Sequence, residues 1–146
     1  MSKEMVLARR LIRQYGTHDP FELCDLMGYA VYTVPLTGVR GFYQYVLRKH
    51  IIYLSQELDH RQRQFVCAHE LGHSLLHRRT NTLYMDTCTY LKTSFYEKEA
   101  DRFAVCLLYP DDERMMEYEG WSADQLAGYL GVSEELAAFR LGLMGP

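Results

Sequence analysis

The chain has 146 residues, 48% hydrophobic and 24% charged, with a net charge of −3, which suits one domain able to bury a sizeable core. No apolar run approaches the length of a membrane span. The opening M-S-K-E-M-V-L-A-R-R sets charges on both sides of a short apolar patch, unlike a signal peptide, so no membrane partner and a cytoplasmic location are expected.

Residues 3–15 place Met5, Leu7, Ala8, Leu11 and Ile12 at helical spacing among Lys and Arg, and Gly16 is a natural stop. Arg9, Arg10 and Arg13 are expected on a solvated face. Asp19-Pro20 opens a second short helix, with Asp19 as cap, Phe21, Leu23 and Leu26 inward, and Gly28 at its end. Tyr29 to Val34 is rich in β-branched and aromatic residues and is predicted to be a strand. Gly38 and Gly41 flank a turn, and residues 42–47 and 50–54 are predicted to form a hairpin joined around Arg48-Lys49. A small, mostly antiparallel three-stranded sheet therefore precedes the middle of the chain. Cys24, Cys67, Cys88 and Cys106 form no C-x-x-C pair, and are expected to be reduced core thiols, with Cys88 as a possible competing metal ligand.

Asp59 can cap a helix over residues 60–77. Within it, Phe65 to His77 reads F-V-C-A-H-E-L-G-H-S-L-L-H. H-E-L-G-H is an instance of the H-E-x-x-H metal motif. Residues four apart share a helix face, so His69 and His73 can direct ring nitrogens at one ion. Glu70 lies one step round the helix, where it can take a proton from an attacking water and deliver it to a leaving amine. Three titratable residues in five positions of an otherwise apolar helix are costly to bury without partners, which favours a metal over a plain core helix.

Residues 79–94 show no clear period and are predicted to be a loop on the rim of the site. Ser94 can cap a following helix over residues 95–108, ended by Pro110. That helix offers Glu97, Glu99 and Asp101. A catalytic zinc has three protein ligands, and Glu97 shares a face with Asp101. Glu97 is therefore the expected third ligand, Glu99 the alternative, and Asp101 the acceptor for a ligating ring's second N–H. The longer three-histidine motif would need Gly and His where Leu76 and Arg79 stand. His77, four beyond His73, is expected to hydrogen-bond beside the site. Tyr84, Tyr90 and Tyr96 are candidates for the further donor that an oxyanion needs. An extended substrate can add to an exposed strand of the hairpin.

H-E-L-G-H-S-L-L-H followed by E-K-E-A-D-R-F-A-V-C-L-L-Y-P resembles the ImmA/IrrE family of zinc metallopeptidases over nearly the whole chain. The resemblance implies an α+β fold with the sheet packed against zincin-like active-site helices and a helical C-terminus. It carries the ligands over to His69, His73 and Glu97, the catalytic glutamate to Glu70, and one Zn2+ per chain. Tyr109 stands where the family often has Met, a change of packing. The better-known members act as anti-repressors that cut a helix-turn-helix repressor. Some carry an added DNA-binding or sensor domain. Neither is seen here, so the resemblance implies a separate repressor as substrate, and no oligomeric state follows.

The expected organisation is one domain over 1–146, with helices and sheet in 1–58, zinc-binding helices in 59–110 and a helical segment in 111–146. The last segment is predicted to hold a polar helix from Asp111 to Glu119, a break at Gly120, and two short helices near 123–130 and 134–142. Its L-A-G-Y-L-G-V-S pattern suits a helix-turn-helix. However, residues 111–146 carry 2 Lys+Arg against 8 Asp+Glu, a net of −6, whereas residues 1–110 carry 14 against 11, a net of +3. Glu134 and Glu135 would face phosphates, so direct nucleic-acid binding is not expected. A DNA-binding regulator and a zinc-stabilised interaction protein without hydrolysis are the rival classes. Glu70 speaks against the latter, because a structural site needs no base.

Overall fold

Short polar side chains start most of the helices. In a computed structural model, which describes residues 2–77 and 90–144, Ser2 accepts from the Met5 amide and opens α1 (Lys3–Tyr15), and Gly16 closes it in the left-handed conformation at φ 75°. Asp19 accepts from the Phe21 amide at the head of α2 (Pro20–Leu26). The buried face of α2 centres on Leu23 and Cys24. Leu26, expected inward, is the last residue of this short helix and is 57% exposed. The basic face of α1 is also not wholly solvated. Arg9 is half-buried and donates to the Pro110 carbonyl and to Asp112.

The sheet contains β1 (Ala30–Val34), β2 (Gly41–Val46) and β3 (Lys49–Ser55) in the order β1-β3-β2. β2 and β3 form the expected antiparallel hairpin, while β1 runs parallel to β3, so the sheet is mixed. The hairpin turns at Leu47 and Arg48 rather than at Arg48-Lys49, because Lys49 pairs with Val46. Both turn residues have positive φ, 51° and 65°, which matches a two-residue turn whose twist follows that of the strands. β3 is the inner strand and buries Ile52 and Leu54; β2 is an edge.

α3 (His60–Leu76) crosses this sheet. Its start is doubly fixed: Asp59 accepts from the Gln62 amide and the Gln62 side chain accepts from the Asp59 amide. Gly41 permits the approach, since a Cβ there would lie 2.8 Å from Val66 Cγ1. α4 (Tyr90–Leu108) packs along α3 and buries Phe103 to Leu107. It begins before the expected Ser94 cap, so Ser94 lies inside the helix. Of the predicted rim loop, positions 79–89, with Tyr84 and Cys88, lie outside the described residues, as does the Tyr90 side chain. Cys24, Cys67 and Cys106 are buried free thiols.

Beyond Pro110 come α5 (Asp112–Met115), a 3-10 turn (Met116–Tyr118), α6 (Ala123–Leu130) and α7 (Glu134–Gly142). Gly131, left-handed at φ 75°, separates α6 from α7. The pair encloses a smaller core of Met115, Leu126, Ala127, Leu130 and Ala137. Arg140 is fully buried, and donates to the Tyr109 carbonyl at 2.8 Å and to Asp112 at 2.7 Å. It ties the C-terminal helices to the end of α4. Among the described residues, no helix is long and apolar enough to cross a membrane.

Candidate metal centre

The site lies where α3 faces α4, and one glycine sets their separation. A Cβ on Gly72, inside the H-E-L-G-H motif, would lie 2.9 Å from Phe103 Cδ2 and 3.3 Å from Phe103 Cβ. Phe103 Cβ is next to the main chain and cannot rotate away. Gly72 thus lets α4 come close enough for its carboxylates to reach the histidines of α3.

Two of the expected residues meet on a third. His69 Nε2 lies 3.0 Å from Glu97 Oε2, and His73 Nε2 lies 2.8 Å from Glu97 Oε1. The opposite ring nitrogens are also occupied. His69 Nδ1 is 2.7 Å from Asp101 Oδ1, and His73 Nδ1 is 2.9 Å from His77 Nδ1. Glu97 and Asp101 are one helical turn apart on the same face of α4. Glu99, on another face, contacts neither His69 nor His73 at hydrogen-bonding distance. It sits against His77, with Oε1 3.0 Å from His77 Nε2, while its other oxygen pairs with Lys3 of α1. Tyr96 packs its ring on His77, 4.4 Å between centroids.

Burial is graded across the site. The side chains of His69 and His73 are 13% and 8% exposed, whereas Glu97 is 48% exposed. One side of the cluster therefore faces solvent. Glu70 is buried at 6% exposure.

The charges follow from these contacts. Burial of His69 acts to lower its pKa, but hydrogen bonds to Asp101 and then Glu97 overcome this and hold it up at about 10. Burial disfavours ionised Glu97, yet hydrogen bonds from His69 and His73 keep its carboxyl well below the usual range. Burial pushes the Glu70 carboxyl upward, against the pull of His69 and His73 and with the repulsion of Glu97 and Asp101. Burial, aided by His73 and Lys3, lowers His77 to about 4, so this ring is neutral near pH 7.

The donor set suits a divalent transition metal. His69, Glu70 and His73 offer ligand atoms within 4.8 Å of one another, and Glu97 adds a carboxylate in contact with both Nε2 atoms. Two imidazoles and a carboxylate are the ligand types that zinc takes at catalytic sites.

The residues of this cluster belong to a matched region. A family model described as the IrrE N-terminal-like domain of the M78 peptidases matches residues 24–142. The chain belongs to this metallopeptidase family. It is 39% identical over 135 residues to uncharacterized immunity region protein 2 of Bacillus phage phi105, covering 90% of this chain and 85% of that one. It is 30% identical over 140 residues to metallopeptidase ImmA of Bacillus subtilis (strain 168), covering 92% and 82%. A Mycobacterium tuberculosis transcriptional regulator has the same fold at a TM-score of 0.63 and 21% identity. That match covers 97% of this chain but 46% of the regulator. Membership of the family agrees with the resemblance expected from the motif pair.

Two contributors to this family member's site had no local signal in the sequence. Lys3 is 96 positions from Glu99 and appears there as one charge on a basic helix. The role of Gly72 as a spacer emerges only with Phe103 opposite it. A long-range pairing of a motif glycine with a large apolar residue was the one available clue.

Proposed function

We propose that the chain is a zinc-dependent endopeptidase that hydrolyses one peptide bond in a protein substrate, most simply a helix-turn-helix transcriptional repressor. The observation that carries this reading is the convergence of two Nε2 atoms on one half-exposed carboxylate, beside a buried glutamate with a raised pKa. A purely structural zinc is closed by four protein ligands; three donors with a solvent-facing side suit catalysis. The chain's position in one domain, with the cytoplasm as its compartment, belongs to the same reading.

In this proposal His69, His73 and Glu97 hold one Zn2+. When bound, zinc polarises the scissile carbonyl and acidifies water toward neutrality. Glu70 takes the proton of the attacking water and returns it to the departing amine. Its raised pKa fits both halves of that exchange, since a carboxyl tuned toward the working pH both accepts and releases a proton readily. Asp101 holds the His69 ring with Nδ1–H outward and its lone pair toward the ion. β2, at the edge of the sheet among the described residues, is the strand to which an extended substrate would add.

The substrate assignment draws on the resemblance of the two motifs to the ImmA/IrrE family and on a relative named for a phage immunity region. Incubating the purified protein with the repressor encoded beside it, with and without chelator, tests it by mass spectrometry of the products. A single cut that chelator prevents is the expected result. An intact repressor under zinc-replete conditions contradicts the substrate assignment.

A further inference from the structure

The two histidines of the proposed metal site are supported in different ways. His69 reaches a carboxylate directly through Asp101. His73 reaches one only through a second imidazole: its Nδ1 meets His77 Nδ1 at 2.9 Å, and His77 Nε2 meets Glu99 Oε1 at 3.0 Å. Glu99 is buried at 4% exposure. Its second oxygen is paired with Lys3, on the first turn of α1, whose side chain is 61% exposed. A continuous polar path therefore runs from the surface of α1 through Glu99 and His77 to His73.

We infer that Glu99 is a positioning residue of the metal site, acting on His73 through His77 with Lys3 as its counter-ion. The inference rests on the proposed ligation by His69, His73 and Glu97. Its logic is a count of donors and acceptors. Were His73 Nε2 to hold the ion, one proton would lie between the two Nδ1 atoms in contact, and two arrangements would exist. An ionised carboxylate only accepts. His77 must then carry its hydrogen on Nε2 and donate it to Glu99. That leaves the Nδ1 lone pair of His77 to accept from His73 Nδ1–H, and His73 turns a bare Nε2 toward the ion. The reverse arrangement would aim the His77 Nε2 lone pair at a carboxylate. Lys3 beside the other oxygen of Glu99 places a positive charge at the far end of the path and so favours the arrangement in which Glu99 accepts. Glu99 is thus no competitor of Glu97 for the metal, but the distant end of a support that Asp101 provides to His69 in a single step.

Carboxylates that orient a ligating histidine typically change metal affinity by roughly 10- to 100-fold when lost. The test uses the full chain, zinc as the probe and a chromophoric chelator as competitor. Glu99→Gln, which keeps shape and removes charge, should weaken zinc binding roughly 10-fold, and His77→Phe by more. His77→Asn, which keeps an acceptor near His73 Nδ1, should recover part of that loss. Imidazole 15N spectra of the zinc-loaded wild type should show His77 as the Nε2–H tautomer. A structural role alone would lower the melting temperature of the metal-free variants without changing the tautomer or the affinity. Zinc binding by wild type with Glu99→Gln unchanged, or His77 found as Nδ1–H, overturns the relay and leaves the metal site standing. A wild type that binds no zinc overturns the metal site itself. Should His77→Phe fail to fold, Glu99→Gln and the wild-type spectrum still decide.

Discussion

Two helix pairs of this chain use the same device for different ends. In α3 and α4, Gly72 brings the helices close over a dense set of buried or mostly buried titratable side chains: His69, Glu70, His73, His77 and Glu99. The three histidines and Glu99 are each matched to a partner across the gap or beside it. In α6 and α7, Gly131 turns the chain, the interface is apolar, and Glu134 and Glu135 stay in solvent. The C-terminal pair has one buried charge, Arg140, and it is spent on holding Tyr109 and Asp112. Burying ionisable groups is costly without partners. A cluster of them beside an open face therefore marks chemistry, whereas a lone buried arginine bonded to main chain marks architecture.

The sharpest way to break this contrast is to remove the carboxylate that both rings share. Glu97→Ala should weaken zinc binding by more than the roughly 100-fold limit typical of supporting hydrogen bonds. Chelator competition measures it, and a smaller loss than in Glu99→Ala would move the third ligand. On the architectural side, Arg140→Ala should cost about 2–3 kcal/mol in denaturant unfolding of the zinc-loaded protein. The zinc affinity of this variant should stay close to that of wild type, and a parallel loss of affinity would merge the two regions.

Proton linkage gives a third handle. In the metal-free protein His69 keeps its proton up to a pKa of about 10. A raised folded pKa means that the proton-bound form is favoured below it, so zinc has to displace that proton at any lower pH. Affinity should fall roughly tenfold per pH unit as pH drops from about 9 to about 7. Titrations across this range, with proton release read by calorimetry in two buffers, measure it, and a flat profile contradicts the geometry around His69. The smallest effect is expected for Gly72→Ala. Overpacking against Phe103 costs about 1–3 kcal/mol, and the better helix propensity of Ala returns up to about 1. A net loss of about 1 kcal/mol, with weaker zinc binding because α4 is pushed outward, is the expected outcome.

Much of this was legible from short-range pattern. The i, i+4 spacing put His69 and His73 on one face, Asp59 announced the start of α3, and Glu97 and Asp101 were paired by the same spacing on α4. What local pattern could not supply was anything decided across the fold. Leu26 is exposed at the last turn of α2, although it is only one turn from the buried Leu23. Arg9 and Arg140 are drawn inward by main-chain carbonyls and by Asp112, far along the chain. Ser94, a good cap by type, is overridden by a helix that starts at Tyr90. β1 runs parallel to β3, and nothing within either strand specifies that direction. Glu99 was an alternative ligand by composition, and in the fold it sits against His77 and Lys3 rather than against His69 and His73.

The central claim is that α3 and α4 form a hydrolytic zinc site with Glu70 as its base. Glu70→Gln keeps size and hydrogen bonding but removes the proton acceptor. The decisive measurement is the rate of repressor cleavage by this variant, alongside its zinc content. Loss of roughly 10²–10⁴-fold in rate with one zinc per chain retained is the predicted result. Cleavage at the wild-type rate with zinc in place would contradict the account.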